Sequence, residues 1–419
     1  MTQDPLSREV RRLVVGNTLS ALGTGFTLPF LLIYFTDVRG FSVVTAGYVI
    51  ATLGVVGLAS VPFMGTLSDR IGPWRVLVGA LLVQALGTAG LAAVTEPWHA
   101  FATISLIGVG GGAAWPAQSA LIAVLVPAER RGRVFAVQFA LLNLGIGIGG
   151  AVSGLLVDTS RVATFEVIYV VDAFSFVAYA AILATLRHAA LRPARAGPGD
   201  PPAGYREVVA DRIFLRLCAV TLLLSCAGYG QVSAGFPAFV SDVAEVSTRS
   251  IGLAFAANTA VIVAAQLVVE RRLQGHRRTR ALAAVAVVWA VSWLVIGSSA
   301  LLPGSLAATA VIVGLGLFGF GETLWAPTGA TLVNDIAPPH LRGRYNATSS
   351  LTWQLSSVIG PIVAGALLGA RLPVVFIGGL VAILAVVGLM ALRLERFLSP
   401  AQNGLSVDPA TPEVVPTPG

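Results

Sequence analysis

Twelve separate apolar runs, each about twenty residues and so long enough to cross a hydrocarbon core of about 30 Å as a helix, dominate this 419-residue chain. They fall near residues 11–36, 43–66, 74–94, 98–126, 133–157, 166–186, 213–240, 250–270, 280–302, 305–333, 345–369 and 373–393. Their length and continuous apolarity exclude a porin-like barrel, whose strands are about ten residues of alternating polarity. In lipid the backbone has to satisfy its own hydrogen bonds, so the runs are expected to be helices and the fold an all-α integral membrane one. Composition agrees: 56% of residues are hydrophobic, 11% are charged and the mean hydropathy is +0.83, whereas a soluble domain carries roughly a quarter charged residues.

The net charge of +7 suggests a nucleic-acid partner only until the positions of the cations are considered. All 27 basic residues are arginine, and alternating the loops across twelve crossings puts every one except Arg39, Arg161, Arg249 and Arg371 on one side. The positive-inside rule makes that side cytoplasmic, with both termini on it. The expected setting is a bacterial inner membrane, crossed many times by a monomer whose partner is the lipid bilayer and not nucleic acid. No small-residue cleavage site follows Ser7, Arg8, Arg11 and Arg12, so the first helix is expected to stay in place. Cys218 and Cys226 lie eight apart on one helix, about two turns, too far to bridge.

Residues 187–212 hold a Pro- and Gly-rich stretch and then the segment YREVVADR, which reads as a linker followed by a short amphipathic helix. It divides the chain into a six-helix bundle over 1–186 and another over 213–397. The polar, Pro-rich tail 398–419 has too few apolar residues to offset the entropy of ordering it. A shift of 211 residues superposes spans four and five on spans ten and eleven without a gap. Gly108, Gly110, Pro116, Leu121, Pro127, Arg131, Gly132, Arg133, Gly149 and Gly154 meet Gly319, Gly321, Pro327, Leu332, Pro338, Arg342, Gly343, Arg344, Gly360 and Gly365. A parallel repeat of six helices suits a midplane site between two halves that rock.

Between spans two and three the chain reads Gly65, Thr66, Leu67, Ser68, Asp69, Arg70, Ile71, Gly72, Pro73, Trp74, Arg75. This resembles the signature loop of the major facilitator superfamily, G-x-L-x-D-R-x-G-R-R, with Pro73 and Trp74 in place of two basic residues. The resemblance implies a fold of twelve helices in two six-helix pseudo-repeat bundles, and a transporter working by alternating access. Gly65, Asp69, Arg70, Gly72 and Arg75 are then expected to form a conformational latch, the Asp meeting arginines when the halves close, with Arg131 and Arg133 as candidate partners. Leu22-Gly23 followed by Pro29 is similar to a motif of the twelve-helix drug:proton antiporter branch. Gly149, Gly150 and Gly154 resemble that branch's glycine-rich motif in span five, and the equivalent place in span eleven holds Gly360, Pro361 and Gly365. Small residues permit close approach of helices and Pro permits a kink, both suited to a sliding interface. Leu106 stands where the branch carries a basic residue, which departs from its usual means of proton coupling.

A carboxylate inside hydrocarbon costs a few kcal/mol or more, so an intramembrane acid calls for a role. Glu322, midway along span ten, is the leading proton-coupling candidate, able to carry a proton while the cavity faces one side and to release it on the other. Cross-helix hydrogen bonding alone would also explain it. Asp172 and Asp37 are further candidates, both read as close enough to the outer face to reach the interface. Asn17, Phe26, Gln118, Gln231, Asn258, Trp325 and Trp353 combine amides with aromatic surface and are candidates for lining a substrate cavity. No arginine lies deep in a span, so neutral or cationic, partly apolar small molecules are the expected substrates. The four histidines lie at loops or helix ends with no metal-ligand or nucleophile constellation, and no phosphate-binding loop is present. Neither a catalytic residue, a metal nor a cofactor is expected. The reading is proton-coupled efflux of small amphipathic compounds or drugs. A transporter of one metabolite, by uniport, symport or antiport, and a transport-inactive sensor or scaffold of the same fold remain open alternatives.

Overall fold

The computed structural model describes residues 7–186, 204–232 and 235–405. Among them there is no strand, and twelve helices are long and apolar enough to cross a membrane. These are α1 (Arg8–Val38), α2 (Val44–Ile71), α3 (Pro73–Leu91), α4 (Pro97–Leu125), α5 (Ala128–Leu156), α6 (Val162–Ala184), α7 (Arg212–Val232), α8 (Arg249–Leu273), α9 (Arg278–Leu301), α10 (Gly304–Ile336), α11 (Pro339–Gly369) and α12 (Pro373–Phe397). The expected amphipathic segment forms a short helix, Tyr205–Ala210. The rest of the expected linker, 187–203, and the tail from residue 406 lie outside the described residues.

Three spans are interrupted, each where the sequence supplies a reason. α1 starts on a Ser7 cap and is regular as far as Thr27; around Pro29 it passes into a 3-10 turn, Leu28–Phe30, and it ends in a π turn, Tyr34–Val38. α7 is regular to Ala227 and breaks at Gly228, where any side chain would overlap the Trp289 ring. α10 gives up regular helix after Trp325 at Pro327 and resumes over Gly329–Ile336. α2 ends at Gly72, whose φ of +93° few other residues adopt.

The chain forms two compact units. Unit 1 comprises Met1–Pro127, Val137–Gly204 and Ala337–Ser350; unit 2 comprises Ala128–Ala136, Tyr205–Ile336 and Leu351–Gly419. The first turns of α5 therefore belong with the second half of the sequence, and those of α11 with the first half. Within unit 1 an aromatic cluster of Tyr34, Phe35, Phe165 and Tyr169 is fully buried, and Phe26 packs against it. The Tyr34 hydroxyl donates to Leu91 O at 2.5 Å and accepts from Arg39 Nε at 2.8 Å, while Arg39 reaches Glu166 at 3.3 Å. Within unit 2 the core is built on Trp289, stacked on Phe318 at 4.4 Å, and Trp293. Both indoles are satisfied, donating to Phe318 O at 3.0 Å and Ala227 O at 2.8 Å, as buried Trp requires.

Candidate functional site

Glu322 lies within α10, one turn before the break at Pro327, and is 6% exposed. Asn258 on α8 donates its Nδ2 to Glu322 Oε2 at 2.7 Å and also reaches Leu315 O at 3.3 Å. The break in α7 sets Tyr229 beside this carboxyl: its buried hydroxyl lies near Glu322 without forming a hydrogen bond, and its ring meets Trp353 at 4.3 Å, Trp289 at 5.3 Å and Phe318 at 6.0 Å. Among the described residues no arginine or histidine pairs with Glu322. The site is thus an acid held by a neutral donor, Asn258, and walled by aromatic faces. Of that wall Trp353 is the open member, at 46% exposure.

In unit 1 the acid is Asp172 on α6. The interfacial placement expected of it does not hold, because the α6 face that carries it packs on α1 and leaves the side chain 2% exposed. Thr27 Oγ1 donates to Asp172 Oδ2 at 2.8 Å, and Ser175 Oγ lies 3.2 Å from Oδ1. Asp37 remains exposed, accepting from the neighbouring Thr36 hydroxyl at 2.7 Å.

Asp69 does not pair with Arg131 or Arg133, as the spacing had suggested. It accepts the backbone N–H of Gly343 at 2.6 Å and of Arg344 at 3.2 Å, and the Arg344 guanidinium at 3.0 Å. The carboxylate thereby caps the first turn of α11, where unpaired N–H groups and the helix dipole favour an anion. Gly343 passes so close to Gly65 O and Asp69 that a Cβ there would collide. Arg70 and Arg75 are exposed, Arg75 returning to Ile71 O at 3.2 Å. Arg131 instead pairs with Asp335 at 2.5 Å inside unit 2, and the other carboxylate oxygen of Asp335 takes Arg278; Arg133 is half-buried. Spacing gave no hint of Asp335, since its repeat equivalent in the first half is Val124; an acid close before the Arg342–Arg344 pair was the only signal.

The amide candidates prove to be bound to the fold. Gln118 on α4 donates to Asn17 Oδ1 at 3.1 Å and accepts from Tyr179 at 2.9 Å, which ties α4 to α1 and α6. Gln231 reaches the carbonyls of Cys226 and Gly360. Trp325 is half-buried against Gly329. In the glycine motif the two halves agree at one place: Gly149 of α5 lies against Leu22 O and Gly25 of α1, and Gly360 of α11 lies against Gly230 of α7. Gly150 and Gly154 have room for a methyl, Gly365 has nothing within 4 Å, and Pro361 sits inside α11.

The family described as Major Facilitator Superfamily matches residues 13–318 and 246–414. Among curated relatives, an uncharacterized MFS-type transporter, YqjV, of Bacillus subtilis (strain 168) is 27% identical over 86% of this chain and 87% of its own length. A Na(+), Li(+), K(+)/H(+) antiporter of Planococcus maritimus is 25% identical over 85% and 88%. Multidrug resistance protein MdtH of Salmonella newport (strain SL254) is 28% identical over 84% and 85%. Among solved structures, a bacterial homologue of the iron transporter ferroportin in an outward-facing state aligns with a TM-score of 0.75 at 15% identity, covering 93% of this chain and all of that one. The E. coli fucose:proton symporter FucP aligns at 0.70 and 13% identity, covering 92% and 98%. At those identities the structures share the fold.

Proposed function

The chain belongs to the major facilitator superfamily, and from that premise we propose that it is a proton-coupled exporter of small amphipathic compounds, neutral or cationic, working by alternating access. The observation that carries this reading is Glu322, a carboxyl with no cationic partner among the described residues, buried mid-span between Asn258 and the Tyr229–Trp353 aromatic faces. An intramembrane acid held by a neutral donor can exist with or without its proton, which a group locked in an ion pair cannot. Aromatic faces beside an acid suit an amphipathic cation, through apolar contact and the ring quadrupole. A relative named as a multidrug resistance protein and another named as a cation/proton antiporter support export and proton exchange respectively.

In proteoliposomes loaded with a pH-sensitive dye, ethidium flux through the wild type should accelerate when an opposing proton gradient is imposed. Glu322→Gln should transport down the ethidium gradient at a rate that no longer responds to pH. Full gradient dependence in Glu322→Gln rejects the coupling role. Proton release on addition of Na+ or K+ without any ethidium flux favours alkali-cation exchange, the activity for which the Planococcus relative is named. No flux of either kind points to a sensor or scaffold.

A further inference from the structure

Unit 1 contains an arrangement that parallels the Glu322 site and that proton coupling through Glu322 leaves unused. In unit 2 the first helix, α7, breaks at Gly228 and sets Tyr229 beside the buried acid. In unit 1 the first helix, α1, loses regular geometry directly after Thr27, and Thr27 is the residue that holds the buried acid Asp172. Discontinuous helices of this kind sit beside ion and substrate sites in transporters because the freed backbone and the adjacent hinge allow two geometries.

The space around Asp172 is built for a carboxyl. Gly23 of α1 is where a Cβ would run into Asp172 Oδ1 and Ser175 Oγ, so the glycine of the Leu22-Gly23…Pro29 motif makes room for the acid, while the motif's proline interrupts the helix one turn on. The hydrogen count is also informative. Ser175 Oγ lies within donating distance of two acceptors, Asp172 main-chain O at 2.7 Å and Asp172 Oδ1 at 3.2 Å, and has one hydrogen for the two of them. When that hydrogen serves the main-chain oxygen, the lone pairs of Ser175 are free to accept from a protonated Oδ1. A proton on Oδ1 donates to Ser175, with Thr27 donating to Oδ2; without that proton the Ser175 hydroxyl can rotate and donate to Oδ1 instead. Both states keep the site hydrogen-bonded.

The groups packed around it leave the choice to the proton. α1 presents Thr27 and Gly23 to it, and α3, which also packs on α6, has no Asp, Glu or His and carries its one arginine, Arg75, near its start. Along α6 itself the flanking titratable groups are Tyr169, whose hydroxyl is buried without a partner, and Tyr179, which is bound to Gln118. Of the cations on this side, Arg39 is taken up by Tyr34, Ala92 O and Glu166, and Arg161, just before α6, is exposed and pairs with Asp158, while Arg75 lies at the opposite end of α3. No ion pair to Asp172 forms among the described residues.

We infer that Asp172 is a second proton-binding carboxyl, seated in unit 1 against the break in α1, so that each unit carries one titrating acid and a transport cycle exchanges two protons. The two-proton cycle rests on the exporter reading; the proton site itself is measured without transport.

The test is pH-titrated infrared difference spectroscopy of the purified full-length protein, following carboxyl C=O stretches in H2O and D2O. Taken as wild type minus variant, Asp172→Asn should remove one titrating component and Glu322→Gln a different one, and Thr27→Val, which removes the hydrogen bond to Oδ2, should move the Asp172 component to higher wavenumber. A wild-type-minus-Asp172→Asn difference with no titrating component, or an Asp172 component that is constant across the whole accessible pH range, overturns the inference. Should Asp172→Asn fail to fold, Thr27→Val decides: an unmoved spectrum is equally fatal. A Glu322→Gln variant that keeps pH-coupled flux would sink the exporter's coupling site while leaving the Asp172 component to stand or fall by its own band.

Discussion

Arg344 donates to Asp69 at 3.0 Å with both side chains more than nine-tenths buried, while the same carboxylate caps the first turn of α11 through two backbone N–H groups. The two partners are therefore not equivalent. Breaking a buried pair costs about 3–5 kcal/mol, and Asp69→Ala should fall at the upper end because it removes the anion of the pair and the acceptor of two N–H donors together. Arg344→Gln leaves the cap in place and should fall at the lower end. Thermal unfolding in detergent ranks the two, and equal shifts would contradict the capping role.

Asp335 holds Arg131 and Arg278 at once. Asp335→Asn should be the most destabilising single change in that cluster, because it takes the shared anion from a buried and a half-buried guanidinium at once, by several kcal/mol on the usual scale for breaking a buried pair. Arg278→Met should cost less. The midpoint of thermal unfolding measures both, and the reverse order would count against Asp335 as the centre of the cluster.

The residues just beyond α12 tie back onto the start of α9. Asn403 accepts Thr279 N–H through Oδ1 at 3.0 Å and Arg278 N–H through its main-chain oxygen at 3.0 Å, so it caps a helix 124 residues away. Loss of such a cap costs about 1 kcal/mol. Asn403→Ala should raise hydrogen exchange at Thr279 and its neighbours, leaving the start of α3 unchanged; uniform exchange in both places would mean that the cap does not stabilise α9.

At the crossing of α1 with α5 and of α7 with α11, glycine lies on glycine: Gly149 on Gly25, Gly360 on Gly230. Gly149→Val and Gly360→Val should each impair folding, because the obstacle is backbone and cannot rotate away; overpacking of this kind costs about 1–3 kcal/mol or more. Gly365→Ala meets nothing within 4 Å and should behave as wild type. Yield of monodisperse protein after gel filtration separates the two classes, and a stable Gly149→Val would show that the crossing is looser than its geometry.

Much of the architecture was legible because it rests on local properties. A run of apolar residues of bilayer length has to be a helix, and twelve such runs became twelve helices. The 211-residue offset located the paired crossings, since Gly149 and Gly360 recur where helices must touch. The site was only partly legible. Glu322 stood out because it is an acid in an otherwise apolar run, and burial there followed from position along the helix. Asp172 was read by the same measure, distance from the span's end, and misjudged: depth says nothing of rotation, and α6 turns it toward Thr27. For Asp69 the motif supplied the acid but not the partner, and Arg131, Arg133, Arg342 and Arg344 were equally near in sequence logic because the repeat makes two pairs of them.

By itself, then, the sequence determined the solvent this chain needs, the number of its crossings and the places where helices can approach, all of which follow from residue size and polarity counted along the chain. Only the tertiary structure decided which arginine meets Asp69, that Asp335 and Asn403 bind at all, and that Asp172 points inward. The physical reason is rotational. A helix apolar on every side has no polar face to fix its phase, so which residue turns toward which neighbour is settled when the helices pack, by close contacts such as Gly23 on Asp172 and Gly343 on Asp69.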